Sequence, residues 1–300
     1  MENRSDILVI GAGPAGLTAA LYASRAKKSV TVIEAVAPGG QSLYAERLQN
    51  YPGLPDTAGF TLCTTLLKQA KEAGASVVSS KVTGYQLTEK MKSVTTQKGT
   101  FYAPCVILCM GRQANLPDVE NAVALLGRGL STCAVCDGMF YRNKRVVVLG
   151  GGDTAFSDAR TLSAIASEVT VVHRRDTFRA TPVLVEEVQA LPNVRFITSA
   201  TLQSILTDEK GVTGVVLSQG DQTRTEPCDG VFAAIGATPS TQGLPAEILN
   251  ESGYIVTDER MQTAIPRVFA AGDVRTTPLR QVVTACADGA IAATYAAEQV

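Results

Sequence analysis

The 300-residue chain contains one histidine and no tryptophan. A single imidazole excludes a multi-histidine metal site, and any nucleophile–histidine pair would have to use His173. No run of about 18 apolar residues is free of Gly, Pro or charge, so no membrane span is expected. The first six residues are short and polar and lead straight into a strand-like run, unlike a signal peptide. Neither charge sign is in excess: Lys plus Arg is 27, Asp plus Glu is 28, and the formal net charge is −1. With no long basic block either, nucleic acid is not an expected partner. The seven cysteines are odd in number, and five of them (Cys63, Cys105, Cys109, Cys228 and Cys286) are scattered through apolar segments. That pattern argues against a secreted disulfide framework and for a reducing, cytoplasmic setting. Low-complexity tracts are missing as well. What is present, 45% apolar and 18% charged residues, suffices for real cores, and the length suggests about two domains.

Strand-like and helix-like segments alternate from the start. Residues 7–10 read as a buried strand, 16–26 as an Ala/Leu-rich helix and 30–33 as a second strand, a βαβ unit. The same unit recurs as strand 145–149, helix 153–166 and strand 169–172. Further strands are expected at 106–109, 231–235 and 268–271, each followed by a glycine-containing turn. Two Gly/Pro-bearing stretches, 111–121 and 236–245, look like crossings between domains. Two crossings imply that the middle of the chain is inserted into the first domain. The expected class is α/β with two Rossmann-like nucleotide-binding domains, one formed by 1–112 with 243–300 and the other by 113–242.

Each βαβ unit carries a dinucleotide fingerprint. Gly11, Gly13 and Gly16, with Pro14 and Ala15 between the last two, follow the first strand and open the helix. The first glycine allows the tight turn, the second lets the backbone approach a pyrophosphate, and the third lets helix and strand pack closely. Glu34, 23 residues after Gly11, stands where a carboxylate binds a ribose hydroxyl. The second motif is Gly150, Gly152 and Ala155, with Asp153 and Thr154 between. The same 23-residue offset lands on His173, followed by Arg174, Arg175 and Arg179. An acid there would repel a 2′-phosphate, whereas guanidinium groups bind it with charge-assisted bonds. The first site therefore suits FAD or NAD and the second NADPH. A flavin and a nicotinamide have joint hydride chemistry, and two nicotinamides do not. Gly272 and Asp273 end a late strand, where the carboxylate could hold a ribityl or ribose hydroxyl.

Cys133 and Cys136 form a CxxC pair followed by Asp137. Zinc would need four ligands, and there is no second CxxC and no spare histidine. Burial of both thiols is the other rival. Beside two βαβ units the pair reads most simply as a redox dithiol, with Asp137 placed to deliver a proton to a leaving thiolate.

Over essentially the whole chain the sequence resembles the low-molecular-weight thioredoxin reductases. The resemblance is carried, in order, by GAGPAG at 11–16, GGQ at 39–41, NYPG at 50–53, CAVCDG at 133–138, GGGDTA at 150–155, HRRDTFRA at 173–180 and GDVRTTPLRQVVTACADGAIAA at 272–293. It implies FAD in the outer domain, NADPH in the inserted domain, a homodimer, and thioredoxin or a similar protein as partner. It further implies that Cys136 faces the flavin, that Cys133 attacks thioredoxin and that Asp137 is the general acid. Gly39, Gly40, Gln41 and Asn50 would lie along the flavin, and Arg280, Gln281 and Val282 would begin a helix near its pyrimidine ring. The chain departs from the family at Cys109-Met110-Gly111-Arg112, where Ala-Thr-Gly-Ala is frequent. Ala237 and Ser240 likewise replace frequent His and Asn. The rival readings are a related reductase fed by ferredoxin or acting on a small disulfide or another redoxin, and a non-enzymatic nucleotide sensor.

Overall fold

A computed structural model describes residues 3–45, 48, 50–54, 57–209 and 211–300. It divides into two compact units, residues 1–113 with 239–300, and 114–238. Each is a parallel five-stranded sheet with helices on one face and an antiparallel meander on the other.

The first unit opens with β1 (Ile7–Ile10), α1 (Pro14–Arg25) and β2 (Val30–Glu34), continues through α2 (Gly59–Glu72) and β3 (Ser76–Ser79), and adds a meander of β4 (Val82–Gln86), β5 (Lys92–Thr96) and β6 (Gly99–Ala103) before β7 (Cys105–Leu108). β1 runs parallel between β2 and β7, with Ile7 opposite Val30 and Cys105. Covered on both faces, β1 and β7 read as unbroken apolar runs, Ile-Leu-Val-Ile and Cys-Val-Ile-Leu, every residue of them buried. α1 begins at Pro14, whose missing N–H is no loss at the first helical position.

The second unit repeats the plan with β8 (Leu130–Ser131), α3 (Ala134–Asp137), β9 (Arg145–Leu149), α4 (Asp153–Ser163), β10 (Glu168–Val172), α5 (Pro182–Gln189), β11 (Val194–Ile197), the meander β12 (Thr201–Asp208), β13 (Gly211–Gln219) and β14 (Gln222–Pro227), and β15 (Gly230–Ala233). Its sheet order is β11-β10-β9-β15-β8. Phe156, Leu162, Val146, Val148 and Phe232 pack between sheet and helices, while Leu149, Val215, Leu217 and Val231 pack between sheet and meander.

The chain then returns to the first unit through β16 (Val268–Ala270), which completes the order β16-β7-β1-β2-β3, and α6 (Val282–Glu298). α6 lies against α1 through Ala285, Gly289, Ala292 and Ala296. A methyl group on Gly289 would stand 2.2 Å from the Ala15 carbonyl oxygen, so the small residues set how closely the two helices approach. The predicted parallel strands are present within one or two residues. Both meanders and the helices α2 and α5 are additions that the βαβ reading did not contain.

Candidate functional site

In the first unit the glycine motif joins β1 to α1. Gly11 has φ +99°, and a Cβ there would meet the Cys109 carbonyl oxygen at 2.4 Å. A Cβ on Gly16 would lie 1.9 Å from the Gly11 carbonyl oxygen. Gly13 differs: its φ is −73° and a Cβ would find only the Gly40 Cα, at 4.0 Å. Gly11 and Gly16 are therefore required by the protein's own packing, and Gly13 is not: the space above it is open. An open cradle at the helix N-terminus, lined by backbone N–H groups, fits a pyrophosphate. Glu34 closes one side. Its carboxylate accepts from the Ala12 N–H at 2.7 Å and the Val36 N–H at 2.9 Å, which holds it at the glycine turn. Pro14 and Ala15 are buried behind the motif. Gly39, at φ +124°, donates its N–H to the Ala12 carbonyl at 2.7 Å, bringing the loop of Gly39, Gly40 and Gln41 alongside.

Gly272, at φ +78°, packs so closely on Ala15 that a Cβ would stand 2.9 Å from the alanine methyl. Its N–H donates to buried Asp288 at 3.1 Å, and Asp288 also accepts from Arg275 at 3.1 Å. This brace was not read from the sequence; its only signal is a carboxylate among the small residues of α6. Asp273 follows and is held by Arg112. Gln281 caps α6 in a reciprocal capping box with Thr284, and Val282 is the first helical residue. Asn50 donates to the Gln281 side chain at 3.0 Å. Arg280 stacks its guanidinium 4.5 Å over the Tyr254 ring, and its buried Nε has no hydrogen-bond partner among the described residues. An orphaned cationic donor beside a helix N-terminus and an open glycine cradle are what a flavin dinucleotide would satisfy.

The second unit repeats the logic. Gly150 has φ +144°, and a Cβ would meet the Ala234 carbonyl oxygen at 2.3 Å, whereas a Cβ on Gly152 would touch nothing within 4 Å. Ala155, at the third position, is fully buried. Asp153 opens α4, and its carboxylate accepts from the Thr181 N–H at 2.7 Å; Thr154 beside it is exposed. The Gly151 carbonyl accepts from the N–H groups of Arg179 at 2.7 Å and Ala180 at 3.2 Å. The segment after β10 is thereby folded over the glycine turn, leaving Arg174, Arg175 and Arg179 exposed beside it. His173 lies beneath the turn at 5% exposure, where a Cβ on Gly151 would be 2.5 Å from its ring. Burial first, then the positive charges of Arg179, Arg175 and Arg174, hold its imidazole below the usual histidine range. The histidine is thus a neutral floor, and the arginines carry the charge.

Cys133 and Cys136 form a disulfide, with Cα atoms 5.3 Å apart. Cys133 is the N-cap of α3, and its sulfur accepts from the Cys136 N–H at 3.2 Å. Cys136 is exposed and Cys133 partly buried. Ser131, almost fully buried, was also missed. Its hydroxyl donates to Asp137 Oδ2 at 2.6 Å and accepts from the Cys133 N–H at 3.1 Å, tying the acid to the dithiol. The other five cysteines are buried and unpaired. Burial pushes the thiols of Cys105 and Cys228 up to about 12 and that of Cys63 to about 11, which leaves the CxxC pair as the reactive sulfur. Among the described residues, no helix is long and apolar enough to cross a membrane.

Comparison with known proteins agrees with this chemistry. Residues 5–289 match the family model of the pyridine nucleotide-disulphide oxidoreductases. The thioredoxin reductase of Treponema pallidum is 41% identical over 100% of this chain and 98% of its own length. Among solved structures, Lactococcus lactis thioredoxin reductase superposes with a TM-score of 0.95 at 32% identity, covering 99% of this chain and all of that one. A ferredoxin–flavin thioredoxin reductase from Clostridium acetobutylicum gives 0.54 at 30% identity, covering 99% and 98%. The two fingerprints, the CxxC disulfide and these likenesses converge, and the chain belongs to the pyridine nucleotide-disulphide oxidoreductases and, within them, to the thioredoxin reductases.

Proposed function

We propose that this disulfide reductase draws electrons from NADPH, holds FAD in the unit formed by residues 1–113 and 239–300, and delivers the electrons through Cys133 and Cys136 to the disulfide of thioredoxin. The observation that carries the choice of NADPH is the arginine trio, Arg174, Arg175 and Arg179, exposed beside the second glycine cradle. A ferredoxin-fed protein would have no use for them. Flavin and nicotinamide, once bound, supply two-electron hydride chemistry. Gly13, Glu34, the loop of Gly39 to Gln41, Asn50, Asp273 and the residues at 280–282 would hold the flavin. Gly152, Thr154 and the arginines would hold the nicotinamide nucleotide.

The chain's own chemistry is thiol–disulfide exchange. In the reduced dithiol, the N-cap position gives the Cys133 sulfur a backbone donor for thiolate charge. That sulfur attacks one sulfur of the partner disulfide, breaking its S–S bond and forming a mixed disulfide. Asp137, oriented by Ser131, protonates the departing thiolate. The Cys136 sulfur then attacks Cys133, releasing the second partner thiol and restoring the Cys133–Cys136 bond. Around the dithiol, Val135, Met139 and Phe140 are 41%, 55% and 74% exposed, an apolar surface suited to a protein partner. A homodimer in a reducing, cytoplasmic setting completes the proposal. Steady-state NADPH oxidation with thioredoxin, a small disulfide and ferredoxin as alternatives tests it. Thioredoxin should be reduced fastest, and Cys133→Ser and Cys136→Ser should each abolish its reduction while NADPH still bleaches the flavin. Equal turnover with a small disulfide would refute the partner assignment.

A further inference from the structure

Arg112 departs from the small residue that the family resemblance leads one to expect, and neither glycine motif nor the dithiol accounts for it. Its guanidinium donates twice to Asp273 Oδ2, from Nε at 3.1 Å and from Nη2 at 2.9 Å. Both side chains are about three-quarters buried, at 24% and 27% exposure, so solvent screens the pair less than a surface ion pair. At its other end the Arg112 carbonyl accepts from Gln41 Nε2 at 2.7 Å. One residue therefore grips two loops that reach the first glycine motif from opposite ends of the sequence. Gln41 follows Gly39, which is bonded to Ala12, and Asp273 follows Gly272, which is packed on Ala15.

We propose that Arg112 is a positioning residue of the flavin site, its side chain fixing Asp273 and its carbonyl fixing Gln41 so that both loops are set before the dinucleotide arrives. The inference rests on the reading that Asp273 and Gln41 serve the flavin. Physical chemistry gives the arrangement two consequences. An unpaired Asp273 carboxylate would repel a ligand carrying two phosphate charges, and the guanidinium cancels that charge. Both donors also converge on Oδ2, and among the described residues no hydrogen bond reaches Oδ1, which stays available to a hydroxyl of the ligand. Ordering the loops in advance lowers the entropy lost on binding.

The test is FAD release from the full-chain holoenzyme on dilution, followed by the rise of free-flavin fluorescence. Arg112→Ala should release FAD at least about tenfold faster, while its far-UV circular dichroism spectrum in excess FAD matches that of the wild type. Arg112→Lys keeps the charge without the two-pronged geometry and should fall between. Asp273→Asn should also accelerate release, and the Arg112→Ala/Asp273→Asn double variant should be no faster than the worse single variant. Wild-type release from Arg112→Ala, or single effects that multiply in the double variant, would overturn the inference. Wild-type release from Asp273→Asn alone would instead overturn the assignment of Asp273 to the flavin, so the two failures are distinguishable.

Discussion

Asp158 offers a stability test that follows from one buried carboxyl. It sits in α4, its carboxyl accepts from the N–H of Ala134 at the start of the dithiol helix, and burial pushes its pKa from the ordinary 3.8 up to about 7. Charged groups on the elements packed against α4, namely Asp137, Arg145, Glu168, Glu186 and Glu187, do not offset this; burial and the Ala134 bond alone set it. Each tenfold change in proton affinity is worth ~1.4 kcal/mol, so ionising Asp158 in the folded chain costs about 4 kcal/mol relative to the unfolded one. The folded state binds the extra proton between about pH 4 and pH 7. Its contribution is therefore whole below pH 4, declines as pH rises, and has been lost by about pH 7. Asp158→Asn keeps an acceptor for Ala134 and removes the charge. Urea unfolding of wild type and variant, followed by far-UV circular dichroism at pH 5, 6, 7 and 8, isolates the effect, because every other titration cancels in the difference. The variant should gain on the wild type by about 3 kcal/mol between pH 5 and pH 8, the part of the ~4 kcal/mol that falls above pH 5. Parallel pH curves for the two proteins would refute the argument.

Four further outcomes are expected. Proton NMR of the single imidazole should show His173 titrating below 6.5, so its contribution to stability is present above 6.5 and lost as pH falls through its depressed value; NADP⁺, but not NAD⁺, should raise the midpoint by screening the arginines. Gly13→Ala and Gly152→Ala should fold, since neither methyl meets a clash, yet purify without flavin and without NADPH affinity respectively; Gly16→Ala, 1.9 Å from a carbonyl oxygen, should fail to express as folded protein. Arg174→Ala combined with Arg175→Ala should raise the KM for NADPH at least about 100-fold, from roughly 1.5–3 kcal/mol per charged hydrogen bond, with the KM for NADH little changed. Ser131→Ala should lower kcat with thioredoxin about tenfold without altering flavin reduction by NADPH in rapid mixing, because the groups that lose their partner, Asp137 and the Cys133 N–H, both lie at the dithiol.

The parts legible in the sequence were those whose physics is local. A glycine triplet between an apolar strand and an Ala-rich helix dictates its own turn, and Gly11, Gly16 and Gly150 occupy positions that a Cβ would block. The CxxC pair and the arginine trio likewise show themselves by spacing and charge. What stayed hidden depends on long-range packing. The link of Arg112 to Asp273 spans 161 residues, and the burial of Asp158 follows from how α4 meets α3. Ser131, two residues before Cys133, is an ordinary polar residue until the fold aims its hydroxyl at Asp137. His173 sat at the offset of a ligand-binding residue, yet the turn buries it beneath Gly151, and only its neighbours face solvent. The meanders escaped notice because strands such as Lys92–Thr96 and Gln222–Pro227 hold few apolar residues, and polar Lys92, Thr96 and Glu226 stand on their buried side.

The central claim, that electrons pass from NADPH by way of a bound flavin to the Cys133–Cys136 disulfide and on to thioredoxin, is tested most directly by an anaerobic visible-absorption titration of the purified protein. The account predicts flavin bands that bleach with NADPH far more readily than with NADH and return on adding oxidised thioredoxin. A flavin that stays oxidised under NADPH, or one that bleaches and does not recover with thioredoxin, would contradict it.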